Sequence, residues 1–202
     1  MSSPLKMTLL FRPRFFLTIL GVVWISMVVV GFIVLGKEEF TPAQSASVAT
    51  FFPQETSIHR AFDKPTLLIF VHPLCPCTRA TFHELGELLA ELPDRLSVVL
   101  VFTIPDGLPT GWEKEDLWQS ATSLPGVRLW RDEGGVEARR FGVRGSGHAL
   151  LYDVSGRLLF SGGITLSRGH EGDNPGLLAI VDFVQHGHAS TTHTPVFGCS
   201  LL

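Results

Sequence analysis

Charge is scarce in this 202-residue chain: Asp, Glu, Lys and Arg make up 17% of it, against about a quarter of an average soluble protein. Hydrophobic residues reach 45%, so either the core is large or one segment lies outside water. Acids are missing altogether before residue 36, where Lys6, Arg12 and Arg14 lie. The rest of the chain holds thirteen basic against nineteen acidic residues, a net −6. That balance, without clustered Lys and Arg, excludes an electrostatic case for nucleic-acid binding. Cysteine is rare too. Three residues are too few for a disulfide scaffold, and Cys75 and Cys77 are separated by Pro76 alone, so cysteine chemistry becomes the leading question.

Residues 15–35 carry no charge across 21 positions (FFLTILGVVWISMVVVGFIVL), enough to span a hydrocarbon core of about 30 Å as a helix. A cleaved signal peptide has an apolar region of only about 7 to 15 residues, and the nearest small-residue site, Ser47-Val48-Ala49, lies well beyond the run. An uncleaved transmembrane anchor is expected. Lys6, Arg12 and Arg14 precede it, whereas Lys37 follows beside Glu38 and Glu39, which places residues 1–14 in the cytoplasm. The expected location is the cytoplasmic (inner) membrane, single-pass, with the C-terminal domain periplasmic or extracellular, where disulfides persist.

Residues 36–63 read as linker and lead-in, with Pro42, Pro53 and several serines breaking any period. A domain is expected over 64–187. Thr66 to His72 is a short apolar run of strand length. Past the cysteines, Phe82, Leu85, Leu88, Leu89 and Leu92 recur at helical spacing until Pro93. Leu96–Phe102 reads as a second strand, Thr110 as the cap of a helix containing Trp112, Leu117 and Trp118, and VRLWR from Val127 as a short extended piece. Two strands, Gly147–Asp153 and Arg157–Gly163, flank the hairpin turn Asp153-Val154-Ser155-Gly156. Pro175 opens a last helix, and residues 188–202 form a polar tail bearing Cys199.

A buried strand running into two cysteines at a helix start, then β-α, a β-hairpin and a final helix, resembles the thioredoxin fold. FGVRGSGHALLYDVSGRLLFSGGI is similar to the matching stretch of membrane-anchored TlpA-type and ResA-type thioredoxins. His72-Pro73-x-Cys75-Pro76-Cys77-Thr78-Arg79-Ala80, the loop from Ser167 to Asn174 and the terminal Phe197-Gly198-Cys199 resemble the RedB group. The resemblance implies an α/β domain, a central mixed sheet with flanking helices, preceded by one transmembrane helix. It also implies redox-active cysteines and a substrate-facing loop, Ser146, Gly147 and His148. Two features depart from the family: one residue, not two, separates the cysteines, and Gly147 stands where those proteins carry a cis-proline. A proline returned at Gly147 is therefore expected to be tolerated by an oxidoreductase.

With Pro76 at the first helical position, Cys75 would be the N-cap, where unpaired N–H groups and the helix dipole favour a thiolate. Such a thiolate is the nucleophile of disulfide exchange; the bland alternative is a pair of buried packing residues. A Cys75–Cys77 disulfide closes a very small and strained ring, which would make it a disulfide donor more readily than a structural clasp, and Cys199 is another candidate partner, so either Cys77 or Cys199 could resolve a mixed disulfide on Cys75. The resemblance brings His72 and His148 near the thiols as candidate bases, while Arg79 and Arg168 read as solvated. Catalytic candidates are Cys75, Cys77, Cys199 and His148. The leading reading is a cofactor-free thiol-disulfide oxidoreductase acting on extracytoplasmic protein thiols or disulfides. The alternative is a copper or zinc site built from Cys75, Cys77, His72, His148 and Cys199. A peroxidase ranks last, because the Pro-x-x-x-Thr/Ser-x-x-Cys pattern of peroxiredoxins is missing.

Overall fold

The computed structural model describes residues 13–43, 47–107, 111 and 116–202. The chain divides into a unit ending at Glu39 and a second from Phe40 to Leu202. The first is carried by helix α1 (Pro13–Phe40), 28 residues and so about 42 Å long at the usual rise. From Phe15 to Phe40 it is long and apolar enough to cross a membrane. Its large side chains, Trp24 and Phe32 among them, are exposed, and a helix apolar on every side matches hydrocarbon better than water. Lys6 and Arg12, which set the expected orientation, lie outside the described residues.

The second unit is built on a five-stranded sheet in the order β3-β2-β1-β4-β5. Strands β1 (Thr66–Val71), β2 (Ser97–Ile104) and β3 (Val127–Glu133) run parallel. Strands β4 (His148–Tyr152) and β5 (Leu158–Gly163) form the expected antiparallel hairpin, and β4 also runs antiparallel to β1, with Ile69 opposite Ala149 and Phe70 opposite His148. Every residue of β1 is buried, as a strand covered on both faces requires. Leu67, Ile69 and Val71 enter a core with Phe82, Leu85 and Leu88 of α2 (Thr78–Glu91) and Ile180 of α5 (Pro175–His186). Leu68 and Phe70 point the other way, into a cluster with Ile58, Tyr152 and Phe141 of a short helix (Val136–Phe141).

That short helix has no counterpart in the apolar periodicity. It is set by the Asp132 carboxylate, which accepts hydrogen bonds from the Glu137 and Ala138 N–H groups at 2.7 and 2.9 Å, satisfying donors a helix start leaves unpaired. The lead-in packs on the same face: Phe52 stands edge-on to Phe141 and Tyr152 at 5.3 and 5.2 Å, and Tyr152 Oη donates to Ala49 O at 2.8 Å. Leu117 and Trp118 belong to α3 (Asp116–Thr122), which makes the Val136–Phe141 helix α4; Thr110 and Trp112 lie outside the described residues.

Helix α2 begins two residues later than expected, with Cys77 as its N-cap instead of Cys75. Pro76 causes this. Thr78 N donates to Cys75 O at 3.1 Å and Arg79 N to Pro76 O at 3.3 Å, three-residue steps that make a tighter turn before the regular ladder starts.

Candidate active site

Cys75 sits in that turn, just beyond the C-terminal end of β1, and is buried. Its N–H donates to His72 O at 3.1 Å, so the turn holds itself closed. Beside it lies Ser146, also buried, whose Oγ accepts from His72 N at 2.9 Å and stands 3.1 Å from Thr78 Oγ1. One serine thus ties the β1–α2 junction to the loop ahead of β4.

The C-terminal tail completes the site. Its path is set by backbone pairing: Ser161 bridges His193 in parallel and Gly145 bridges Ser200 antiparallel. Ser146 N donates to Cys199 O at 2.8 Å and Leu201 N to Arg144 O at 2.9 Å. Glycine makes this approach feasible. A Cβ on Gly198 would lie 1.9 Å from Ser146 O, and one on Gly162 only 2.2 Å from Thr194 Oγ1. Pressed this close, the tail brings Cys199 Sγ to 2.8 Å from Cys75 Sγ.

The surroundings divide the three thiols. Burial pushes the Cys75 thiol up, but hydrogen bonds from the Cys199 thiol, the Cys199 and Cys77 N–H groups and the Ser146 hydroxyl outweigh it, and the net shift is downward. Donors aimed at one sulfur stabilise its anion. Cys77 goes the other way, raised by burial and by the neighbouring Cys75, with Arg168 opposing. Cys199 is pushed up to about 12 by burial first and then by its bond and charge interaction with Cys75, again against Arg168. Of the three sulfurs, Cys75 is the one whose anion its surroundings favour.

No family model matches the sequence, and no curated protein matches it. Solved structures do share this fold. A hypothetical protein from Sinorhizobium meliloti is 18% identical with a TM-score of 0.57, over 80% of this chain and 93% of its own. An uncharacterised conserved protein from Geobacillus kaustophilus is 18% identical with a TM-score of 0.58, over 80% and 92%. The fold is thioredoxin-like. The exposed lipoprotein thioredoxin of Streptococcus pneumoniae is a more partial match, 19% identical with a TM-score of 0.44 over 60% of this chain and 84% of its own.

Within this thioredoxin-like domain the remaining expected residues fall in different places. His72 lies at the site, half-buried, its Nδ1 accepting from Leu74 N at 3.1 Å, and burial lowers its pKa. His148 is turned to Ser161, Nε2 to Oγ 2.8 Å. Burial, and secondarily His193, lower its pKa to about 4, so the ring is neutral at pH 7; no contact with a sulfur joins it among the described residues. Arg79 pairs with Asp116 on the surface, as a solvated residue would. Arg168 does not behave so: it hydrogen-bonds to Cys77, and its charge favours the thiolates of Cys77 and Cys199. Gly147 overturns the expectation that proline would be tolerated there. Its φ of +86° and its N–H bond to Phe70 O at 2.8 Å are both closed to proline, which fixes φ near −65° and has no N–H.

Sequence reasoning passed over Glu84, a buried carboxylate in α2 that accepts from Gly172 N at 2.6 Å and Asn174 Nδ2 at 3.1 Å. It pins the loop that carries Arg168. Its acidic residue on an apolar-flanked helical position was the available signal. As for a metal, no group of three or more His, Cys, Asp and Glu side chains among the described residues is placed to hold an ion.

Proposed function

We propose that the protein is a membrane-anchored, extracytoplasmic thiol-disulfide oxidoreductase in which Cys75 attacks and Cys199 resolves. The observation that carries this is the 2.8 Å separation of the two sulfurs, held by a tail whose own backbone pairing brings them together. The Cys75 thiolate attacks one sulfur of a substrate disulfide, forming a mixed disulfide and releasing the other substrate sulfur as a thiolate. Cys75 then carries no charge and accepts no hydrogen bond as an anion. Two of the causes that hold Cys199 protonated are thereby removed. Cys199 loses its proton, attacks Cys75 Sγ and expels the second substrate thiolate, which leaves a Cys75–Cys199 disulfide and a substrate reduced by two electrons. The steps reverse when the protein acts as oxidant.

Cys77 stands outside this exchange as a donor to the Cys75 sulfur. The alternative copper or zinc reading draws on the same sulfurs, but a tetrahedral ion about 2.3 Å from each would need them about 3.8 Å apart. Their closer spacing supports direct sulfur–sulfur chemistry. The test is to oxidise the full chain in detergent and map its disulfides by mass spectrometry, with metal content measured on protein purified anaerobically. A Cys75–Cys199 link and a substoichiometric metal content are expected. A Cys75–Cys77 link, or about one copper or zinc per chain that is lost in Cys75→Ser, would replace this mechanism.

A further inference from the structure

Beside Cys199 the fold leaves a cavity of about 810 Å³, lined among others by Arg139, Arg144, Arg168, Val143, Gly198 and Ser200. Its size is that of a small-molecule site, and no Asp or Glu lies among the described residues lining it. Two of the three arginines have side-chain partners. Arg139 Nη2 donates to Gly134 O at 2.6 Å, the backbone of Arg144 is fixed by Leu201, and Arg168 reaches Cys77. Guanidinium groups pair with carboxylates through two parallel hydrogen bonds. Gly198 and Ser200, the chain neighbours of Cys199, both line the cavity, and so does Arg168, whose charge acts on the Cys199 sulfur.

We propose that this cavity binds a low-molecular-weight thiol bearing carboxylates, which reduces the Cys75–Cys199 disulfide by attacking Cys199. The proposal rests on the oxidoreductase reading and supplies the electron donor it lacks. The thiolate of the bound molecule attacks Cys199 Sγ, the bond to Cys75 breaks, and its electron pair leaves on Cys75, the better leaving group of the two because its anion is the more stabilised. A mixed disulfide on Cys199 results. A second molecule attacks the ligand sulfur of that bond, Cys199 departs and takes a proton, and the two molecules leave as their own disulfide, having delivered two electrons.

The test uses the oxidised full chain in nonionic detergent and follows the appearance of free thiols by acid quench, alkylation and mass spectrometry. Glutathione and 3-mercaptopropionate are compared with neutral 2-mercaptoethanol and cationic cysteamine, each rate corrected for thiolate fraction. At low ionic strength the carboxylate-bearing thiols should react about tenfold faster, a margin that salt should close. The ratio should fall toward one in the Arg139→Gln, Arg144→Gln double variant. Equal rates for the anionic and neutral thiols, or a preference that the double variant retains, would overturn the site while leaving the oxidoreductase reading standing. Failure to form any Cys75–Cys199 disulfide would instead remove that reading, and this proposal with it.

Discussion

At the scale of single residues, the reactive sulfur is chosen by the donors around it more than by its place on a helix. Cys75 lies ahead of α2, not at its N-cap, yet its sulfur receives bonds from Cys199, Cys77 and Ser146 that outweigh a burial cost acting against the anion. A lowered folded pKa means the thiolate forms at lower pH than in an ordinary cysteine, so alkylation of Cys75 should rise through a midpoint below the reference value of about 8.5. Removing a donor should move it back. In full-length Cys77→Ala protein the Cys75 profile is expected below the reference, and in the Cys77→Ala, Cys199→Ala double variant, which removes the Cys199 thiol donor, it should shift upward, as read by rates of iodoacetamide labelling against pH. A Cys75 midpoint at or above the reference in both proteins would show that these donors do not activate it.

At the scale of elements, the strands and helices that place the site were legible in the sequence and the tail was not. Continuous apolar runs marked β1 and β2, the Asp153–Gly156 turn marked the hairpin, and Leu and Phe spacing marked α2, because burial of a face leaves a periodic trace. The tail buries itself through backbone hydrogen bonds to 144–146 and 161–163, and main-chain pairing by a short irregular segment leaves no period to read. What it does leave is glycine, at 162, 163 and 198, where any Cβ would collide with backbone; the sequence displays those glycines but not which segment needs the room. Orientation of His148 was equally hidden, since only the sheet register decides which face a strand residue takes. Gly198→Ala tests the tail directly. Its methyl would collide with Ser146 O, so the tail must lift and Cys199 move off Cys75. The rate of Cys75–Cys199 bond formation should fall about 10²-fold, the cost typical of an ångström-scale misplacement, while circular dichroism of the sheet and helices stays unchanged. A variant that closes the bond at the parent rate would mean that the tail is not held by this contact.

At the scale of the whole molecule, the site's chemistry and the anchor's orientation have to agree, and the distribution of cysteines lets one measurement examine both. All three cysteines follow residue 36, so with α1 in the membrane they share one side of it. A resolving disulfide between Cys75 and Cys199 persists only where the compartment is oxidising, and the proposed orientation, argued from the basic residues at the start of the span, puts the C-terminal unit on that outer side. Cys77 supplies the probe without engineering, being partly exposed and outside the proposed disulfide. A membrane-impermeant maleimide should therefore label the protein in sealed right-side-out vesicles and fail to do so in inverted ones. Labelling after reduction should add two further sites in the right-side-out vesicles, because Cys75 and Cys199 enter the oxidised pair together. Labelling confined to inverted vesicles would put the cysteines in the reducing cytoplasm, where the pair would stay as thiols, and would overturn the orientation and the extracytoplasmic function together.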